Sequence, residues 1–258
     1  MDKIRVVKIG GNVIDNPEAL SSFLANFANL EGNKILVHGG GKIATELSKS
    51  MGITPQMIDG RRVTSQQDLE VVTMVYAGLI NKNIVAQLQA KACNAVGFTG
   101  ADANAIVSDI RPTQPIDFGL VGDVKTVNGK AISGFVEQGV IPVFCAITHD
   151  GNGQLLNTNA DTIASELAAS LVDFYDVELI YCFEKQGVLE NVEDENSVIP
   201  EINPSYYEKL KAEGKIHSGM LPKMTNCFDA IKKGVKSVKI GSPEVIRNEN
   251  QLCSIITG

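Results

Sequence analysis

The chain has 258 residues, 44% hydrophobic and 21% charged, with a formal net charge of −7 at neutral pH. That composition suits a large α/β domain or two lobes around a sizeable core, and excludes a disordered or fibrous chain. The acidic balance argues against a nucleic-acid partner, so an anionic ligand would need a local cluster of cations.

Residues 4–9 form an apolar run interrupted by Lys8 and followed at once by Gly10 and Gly11, which reads as a buried strand ending in glycines. A chain that opens on a strand is expected to carry no signal peptide, and no apolar run approaches the length of a membrane span. Asn16 and Pro17 supply an N-cap and a first-turn proline for a helix carrying Leu20, Phe23, Leu24, Phe27 and Leu30, stopped by Gly32. Residues 35–37 predict a second buried strand running into Gly39, Gly40 and Gly41. Ile43, Leu47 and Met51 then recur at a helical interval. Strand, helix, strand, helix over the first 47 residues makes a right-handed parallel crossover. Both glycine loops then lie on one edge of the sheet, where open α/β sheets bind ligands. Glycines there let backbone N–H groups approach an anion, and the helix dipole adds partial positive charge; a tight turn alone would need only one or two of them.

The stretch 52–64 has a proline, an Asp59-Gly60 turn signal and two arginines but no helical period, and is expected to be a hairpin or flap. Thr64 with Gln67 resembles a capping box for a long helix carrying Leu69, Val72, Val75, Tyr76, Leu79, Ile80, Ile84 and Leu88, bent at Gly78. Part of that helix is expected to be an oligomer contact. Short strands are expected at 95–98 and 105–108, another at 119–127, a helix over 128–139 and one continuous strand over 140–148. A hairpin turn follows at 149–153. Asn159 then caps a helix with Asp161 in its first turn, where the dipole favours a negative charge. Residues 177–183 read as a buried strand, Asn203-Pro204 as a helix start, 217–223 as the approach to a helix ending near Gly234, and 237–240 and 254–256 as closing strands. Strands and helices alternate throughout, which predicts a mainly parallel sheet covered on both faces.

The five cysteines, Cys93, Cys145, Cys182, Cys227 and Cys253, are odd in number, scattered and set mostly in apolar runs, the usage of reduced core residues in a cytoplasmic protein. Lys8, inside a buried strand, must either reach solvent or meet a negative partner. Lys42 follows the glycines without the GxxxxGK[ST] spacing and reads as a surface helix residue. The glycines also miss the GxGxxG dinucleotide pattern. None of the three histidines sits in a recognisable triad or metal-ligand spacing, so no metal site is expected. Asn159 reads as a cap, whereas Asn157 precedes the turn and is free to contact a ligand.

KIGGN at 8–12, VHGGGK at 37–42, GRRVT at 60–64, LNTNAD at 156–161 and GMLPK at 219–223 span almost the whole chain in order. With these motifs the sequence closely resembles the N-acetyl-L-glutamate kinases of the amino acid kinase superfamily. The resemblance implies an α/β fold, a three-layer αβα sandwich around a mainly parallel central sheet, over residues 1–258. An N-terminal lobe of about 1–172 would bind the acylated amino acid and a C-terminal lobe of about 173–258 would bind ATP. Lys8 and Lys223 would be the cations that stabilise the transferring phosphoryl group, with Asp161 orienting both. Gly11 and Gly40 would offer N–H groups to the γ-phosphate, Gly40 and Gly41 would line the substrate site, Arg62 would grip a substrate carboxylate, and Asn157 would bind the same molecule. The adenosine part would lie against 184–189 and 215–217, through Glu184, Gly187, Ile216 and His217. Glu184 stands where the family more often has aspartate.

The implied reaction is ATP-dependent phosphorylation of the side-chain carboxylate of N-acetyl-L-glutamate, in arginine biosynthesis, with Mg2+ held through the ATP phosphates. The motifs do not separate an acetyl from a succinyl acyl group. Other superfamily members, such as aspartate, carbamate and uridylate kinases, leave GRRVT unexplained, and a non-catalytic sensor is disfavoured by the presence of both lysines and Asp161. Only seven residues precede Lys8, which leaves no room for the extra N-terminal helix of arginine-inhibited relatives. A homodimer insensitive to arginine is therefore expected.

Overall fold

Alternate residues of the first strand are buried on opposite sides: Ile4 and Val6 in one apolar cluster, Val7 and Ile9 in another. A strand apolar on both faces needs helices above and below it, and the computed structural model, which describes residues 1–258 except 59, 192, 217–219 and 249–250, has that arrangement. The strands are β1 (Lys3–Ile9), β2 (Asn33–His38), β3 (Met57–Ile58), β4 (Arg61–Arg62), β5 (Ala95–Phe98), β6 (Ile106–Ile110) and β7 (Gly122–Val127). They continue with β8 (Ile141–Phe144), β9 (Ile147–His149), β10 (Leu155–Asn157), β11 (Asp176–Cys182), β12 (Glu201–Ile202), β13 (Ser237–Gly241) and β14 (Ser254–Ile256). The helices are α1 (Gly11–Ile14), α2 (Pro17–Asn29), α3 (Gly41–Ser50), α4 (Gln66–Thr73), α5 (Asn81–Gln89), α6 (Gly129–Glu137), α7 (Ala160–Ser170), α8 (Pro204–Ala212) and α9 (Leu221–Lys232).

The main sheet has the order β12-β14-β13-β11-β1-β2-β8-β5. Its neighbours are parallel except β13 and β14. This is the expected three-layer αβα sandwich, and β1 at its middle is flanked by β2 and β11. A second sheet, β10-β9-β6-β7, is mostly antiparallel, and β3 pairs with β4 in the expected hairpin.

Five expectations are corrected. The run 140–148 is two strands, β8 in the main sheet and β9 in the small one, with Cys145 and Ala146 carrying the chain across. Every residue from Pro142 to Thr148 is buried, so apolarity gave no sign of the break. The capping box of α4 is Ser65 with Asp68, one residue later than expected: Ser65 Oγ accepts from the Asp68 N–H, and Asp68 Oδ2 from the Ser65 N–H. Instead of bending at Gly78, the long helix passes from α4 to α5 through a π-helical segment, Met74–Ile80. On α3 the fully buried positions are Ala44 and Ser48, while Met51 is 53% exposed, because the helix packs close to its neighbours through small residues. The continuous helical stretch Gln66–Gln89 has the length and apolarity of a membrane span, contrary to the sequence reading. Its Leu69, Val72, Val75, Ile80, Ile84 and Leu88 are buried in the apolar cluster on one face of the sheet, the placement of a core helix.

Candidate active site

The choice left open for Lys8 resolves to a negative partner. Its Nζ lies 2.7 Å from Asp161 Oδ1, and Lys223 Nζ lies 2.8 Å from the other oxygen, Oδ2. Three elements deliver this triad. Lys8 is near the carboxyl end of β1, Asp161 is in the first turn of α7 and Lys223 in the first turn of α9. Asn159 fixes the start of α7, its Oδ1 accepting from the N–H groups of Asp161 and Thr162 at 2.8 and 3.1 Å. The three side chains are 13, 19 and 12% exposed, enough for a ligand to reach them but well shielded. Burial alone would raise the Asp161 carboxyl. Lys8 and Lys223 outweigh it and hold the group well below the usual carboxylate range. Burial lowers the Lys223 ammonium, opposed by Asp161 and assisted by the repulsion of Lys8. Two cations against one anion leave a net positive centre in a partly dry setting, suited to attract and stabilise phosphoryl oxygens.

The glycine loop lies beside it. Gly40 has φ +149°, and a β-carbon there would run into Ile80 Cδ1 and come within 3.2 Å of the Tyr76 ring. Both contacts come from the π-helical segment, so the loop is backed by that segment rather than by solvent. Gly41 opens α3, whose first-turn amides have no intrahelical acceptor. A cavity of about 380 Å³ is bounded by this loop, by Arg61 and Arg62 of β4, by Tyr76 and by residues 157–160, the last of them next to Asp161 in the chain.

Arg62 is 6% exposed, and its Nη2 donates to Thr45 Oγ1 at 2.7 Å and to the Gly41 carbonyl at 3.3 Å. Nη1 sits 3.7 Å from Asp68 Oδ1, and both atoms are buried without a hydrogen-bond partner. The guanidinium is thus fixed in place by Thr45, Gly41 and Asp68, and as a cation of the cavity wall it is suited to attract a carboxylate. Asn157 Nδ2 donates to Thr64 Oγ1 at 3.0 Å, which turns its amide into the cavity wall.

Three residues of this wall escaped the sequence reading. Thr45 ties Arg62 to the loop, donating to the Gly41 carbonyl at 2.7 Å. Tyr76 was visible only as one apolar member of a helical stripe. Arg111, at the start of the irregular stretch after β6, also lines the cavity, paired with Asp123 at 2.6 Å and set over the Phe118 ring. Its separation from every recognised motif left no signal.

The residues expected at the adenosine lie outside this cavity. Glu184 is exposed and accepts from Asn12 Nδ2, which joins its loop to the first glycine loop. Gly187 is buried, and a β-carbon there would meet Val198 Cγ1 at 2.6 Å and Ser254 Oγ at 2.7 Å, so packing alone demands a glycine. The Ile216 side chain is buried in the core. That packing leaves its backbone for contact. His217 lies outside the described residues. Gly11 is exposed at the start of α1. Lys42 is exposed as expected, and it also borders the cavity mouth.

The amino acid kinase family model matches residues 3–242. An acetylglutamate kinase of Cytophaga hutchinsonii is 57% identical over 255 residues, covering 97% of each chain. One of Bacteroides fragilis is 49% identical over 248 residues, covering 96% of this chain and 95% of its own. Among solved structures, smu.665 of Streptococcus mutans superimposes with a TM-score of 0.81 at 28% identity over 98% of each chain. A family match over nearly the full length, together with a fold whose charged triad and glycine loops meet at one sheet edge, leads to one conclusion: the chain belongs to the amino acid kinase family.

Proposed function

We propose that the chain transfers the γ-phosphoryl group of ATP to the side-chain carboxylate of N-acetyl-L-glutamate. The observation that carries this reading is the Lys8–Asp161–Lys223 triad, whose Asp161 directly follows the cavity-lining Asn159 and Ala160 in a cavity whose wall also includes Arg62. Relatives named acetylglutamate kinase at 49–57% identity support the same substrate.

In this reading Arg62 takes the α-carboxylate and Asn157 a further polar group of the amino acid, which directs the γ-carboxylate past Gly40 and Gly41 toward the triad. That carboxylate is ionised at neutral pH and needs no general base. One of its oxygens attacks the γ-phosphorus, the bond from that phosphorus to the bridging oxygen of ATP breaks, and ADP leaves with the electron pair. Two anions must meet in line, so catalysis is positioning and charge neutralisation. Lys8 and Lys223 neutralise charge on the phosphoryl oxygens, Asp161 keeps the lysines apart and oriented, and the amides of Gly11 and Gly40 add donors. Mg2+ would enter on the ATP phosphates, because the one carboxylate of the triad already has both oxygens engaged by lysines. When bound, the ion supplies charge neutralisation at the phosphates.

In the same reading the chain divides into two lobes. Residues up to about 172 hold the acylated amino acid, and the remainder, with Glu184, Gly187 and the backbone at Ile216 and His217, holds the adenosine side. Five buried free cysteines suit a reducing cytoplasm, and the exposed Met74 and Leu79 on the long helix suit a two-fold contact of a homodimer. The pathway that fits an acylated glutamyl phosphate is arginine biosynthesis. Turnover of ATP against a panel of N-acyl glutamates tests the substrate: ADP release dependent on N-acetyl-L-glutamate is expected, and release indifferent to every acyl glutamate would overturn the reading.

A further inference from the structure

Tyr181 is the largest fully buried side chain in the protein's described core, on β11, the strand beside β1. A parallel strand closed on both faces would be filled equally well by leucine or phenylalanine, so a buried hydroxyl there needs a reason. The hydroxyl donates to the main-chain carbonyl of Asp161 at 2.9 Å. The ring face lies under Lys223, with Nζ 4.8 Å from its centroid. In the sheet register Tyr181 is directly opposite Lys8, so one side chain touches two members of the charged triad and is the strand partner of the third.

We propose that Tyr181 is a positioning residue for phosphoryl transfer, its ring holding the Lys223 ammonium and its hydroxyl holding the first turn of α7 that carries Asp161. This rests on the roles given above to Lys223 and Asp161. A flexible lysine would otherwise lose its placement whenever its partner moved, and a lysine with two fixed supports does not have to be reordered as the transition state forms. The aromatic face is an attractive support for an ammonium shielded from water, and unlike a second carboxylate it adds no negative charge to repel ATP. Burial, with the nearby Cys227 and Asp161, pushes the phenol well above its ordinary value, so the hydroxyl keeps its proton and stays a donor.

The test replaces Tyr181 with phenylalanine, 4-fluorophenylalanine and 3,4,5-trifluorophenylalanine, which keep nearly constant volume while draining the ring face of negative potential. Tyr181→Phe is expected to lower kcat by about threefold to tenfold, and trifluorination by about a further tenfold, with both KM values within about twofold of the starting enzyme. On Lys223→Ala the fluorination steps from Phe onward are expected to be flat, because the ring then has no cation to hold, while the Tyr181→Phe step persists through the lost hydroxyl. Flat fluorination steps in the enzyme that retains Lys223, while Lys223→Ala is itself impaired, would overturn this proposal alone. An equal decline on fluorination in both backgrounds would overturn it too, since the ring would then act through packing. Undiminished turnover of Lys223→Ala would overturn the reading of the reaction and this proposal with it.

Discussion

Gly40 and Ile80 meet with no space for a β-carbon between them, which makes the π-helical segment the back wall of the glycine loop. The i to i+4 spacing within that wider turn brings Tyr76 and Ile80 to the same glycine. Gly40→Ala should therefore force the loop away from the wall. Overpacking and the positive φ together predict a loss of about 1–3 kcal/mol in stability and a larger fall in kcat/KM than the stability loss explains. Urea unfolding with steady-state kinetics checks it, with Gly134→Ala as the control, since a β-carbon at that helical glycine meets nothing within 4 Å. The control should be about 1 kcal/mol more stable. Wild-type kinetics for Gly40→Ala would mean the loop tolerates displacement.

Lys8→Ala and Lys223→Ala should each lower kcat by roughly 10²-fold or more without unfolding the protein, because both charges act mainly on the transition state. Asp161→Asn keeps the shape but removes the charge that separates two ammonium groups, each within 2.8 Å of it, so kcat should fall as well. Near wild-type turnover in any purified, folded variant would remove that residue from its proposed role.

Arg62→Ala should raise the KM for the acylated amino acid far more than the KM for ATP, because a charge-assisted contact is lost in ground and transition states alike. Asp68→Asn should produce a weaker version of the same pattern, since Asp68 Oδ1 lies 3.7 Å from Arg62 Nη1 and helps to hold the guanidinium. An effect confined to ATP would place Arg62 on the nucleotide side and exchange the two lobes.

His38, wholly buried at the end of β2, gives a pH signature. Its Nδ1–H donates to the Gly39 carbonyl at 2.8 Å while Nε2 accepts from Asn81 Nδ2 at 3.1 Å, so the neutral ring is the form that satisfies both partners. Burial is the main reason its pKa is lowered to about 4 from 6.5. Between those values the unfolded chain binds a proton that the folded chain refuses. Stability is thus fully present above pH 6.5 and falls as pH drops toward 4, by about 3 kcal/mol in all. The depressed Asp161 carboxyl adds its own loss only below its unfolded value of 3.8, outside this window. Urea unfolding of wild type and His38→Asn from pH 7 to pH 4.5 should give a shallower slope for the variant; parallel slopes would show that His38 is not the source.

Motifs with short-range physics were legible from the chain alone. Apolar runs ending in glycines located β1, β2 and both loops, Asn16, Asn159 and Asn203 marked helix starts that their side chains do cap, and alternation of strand and helix predicted the parallel sandwich. Lys8 could be singled out because a lysine in a buried strand needs an anion. The anion's identity came only from resemblance, because Asp161 is 153 residues away in sequence and reaches Lys8 only through the fold. The break between β8 and β9, the π-helical wall behind Gly40, and the roles of Thr45, Tyr76, Arg111 and Tyr181 were decided by tertiary structure. Each of these residues carries a local pattern identical to that of an ordinary core or surface position. Tyr181 sits in an apolar strand like any other until the register sets it opposite Lys8 and packing lays Lys223 across its ring. Periodicity reports which way a side chain faces; only the packing of distant elements determines what it meets there.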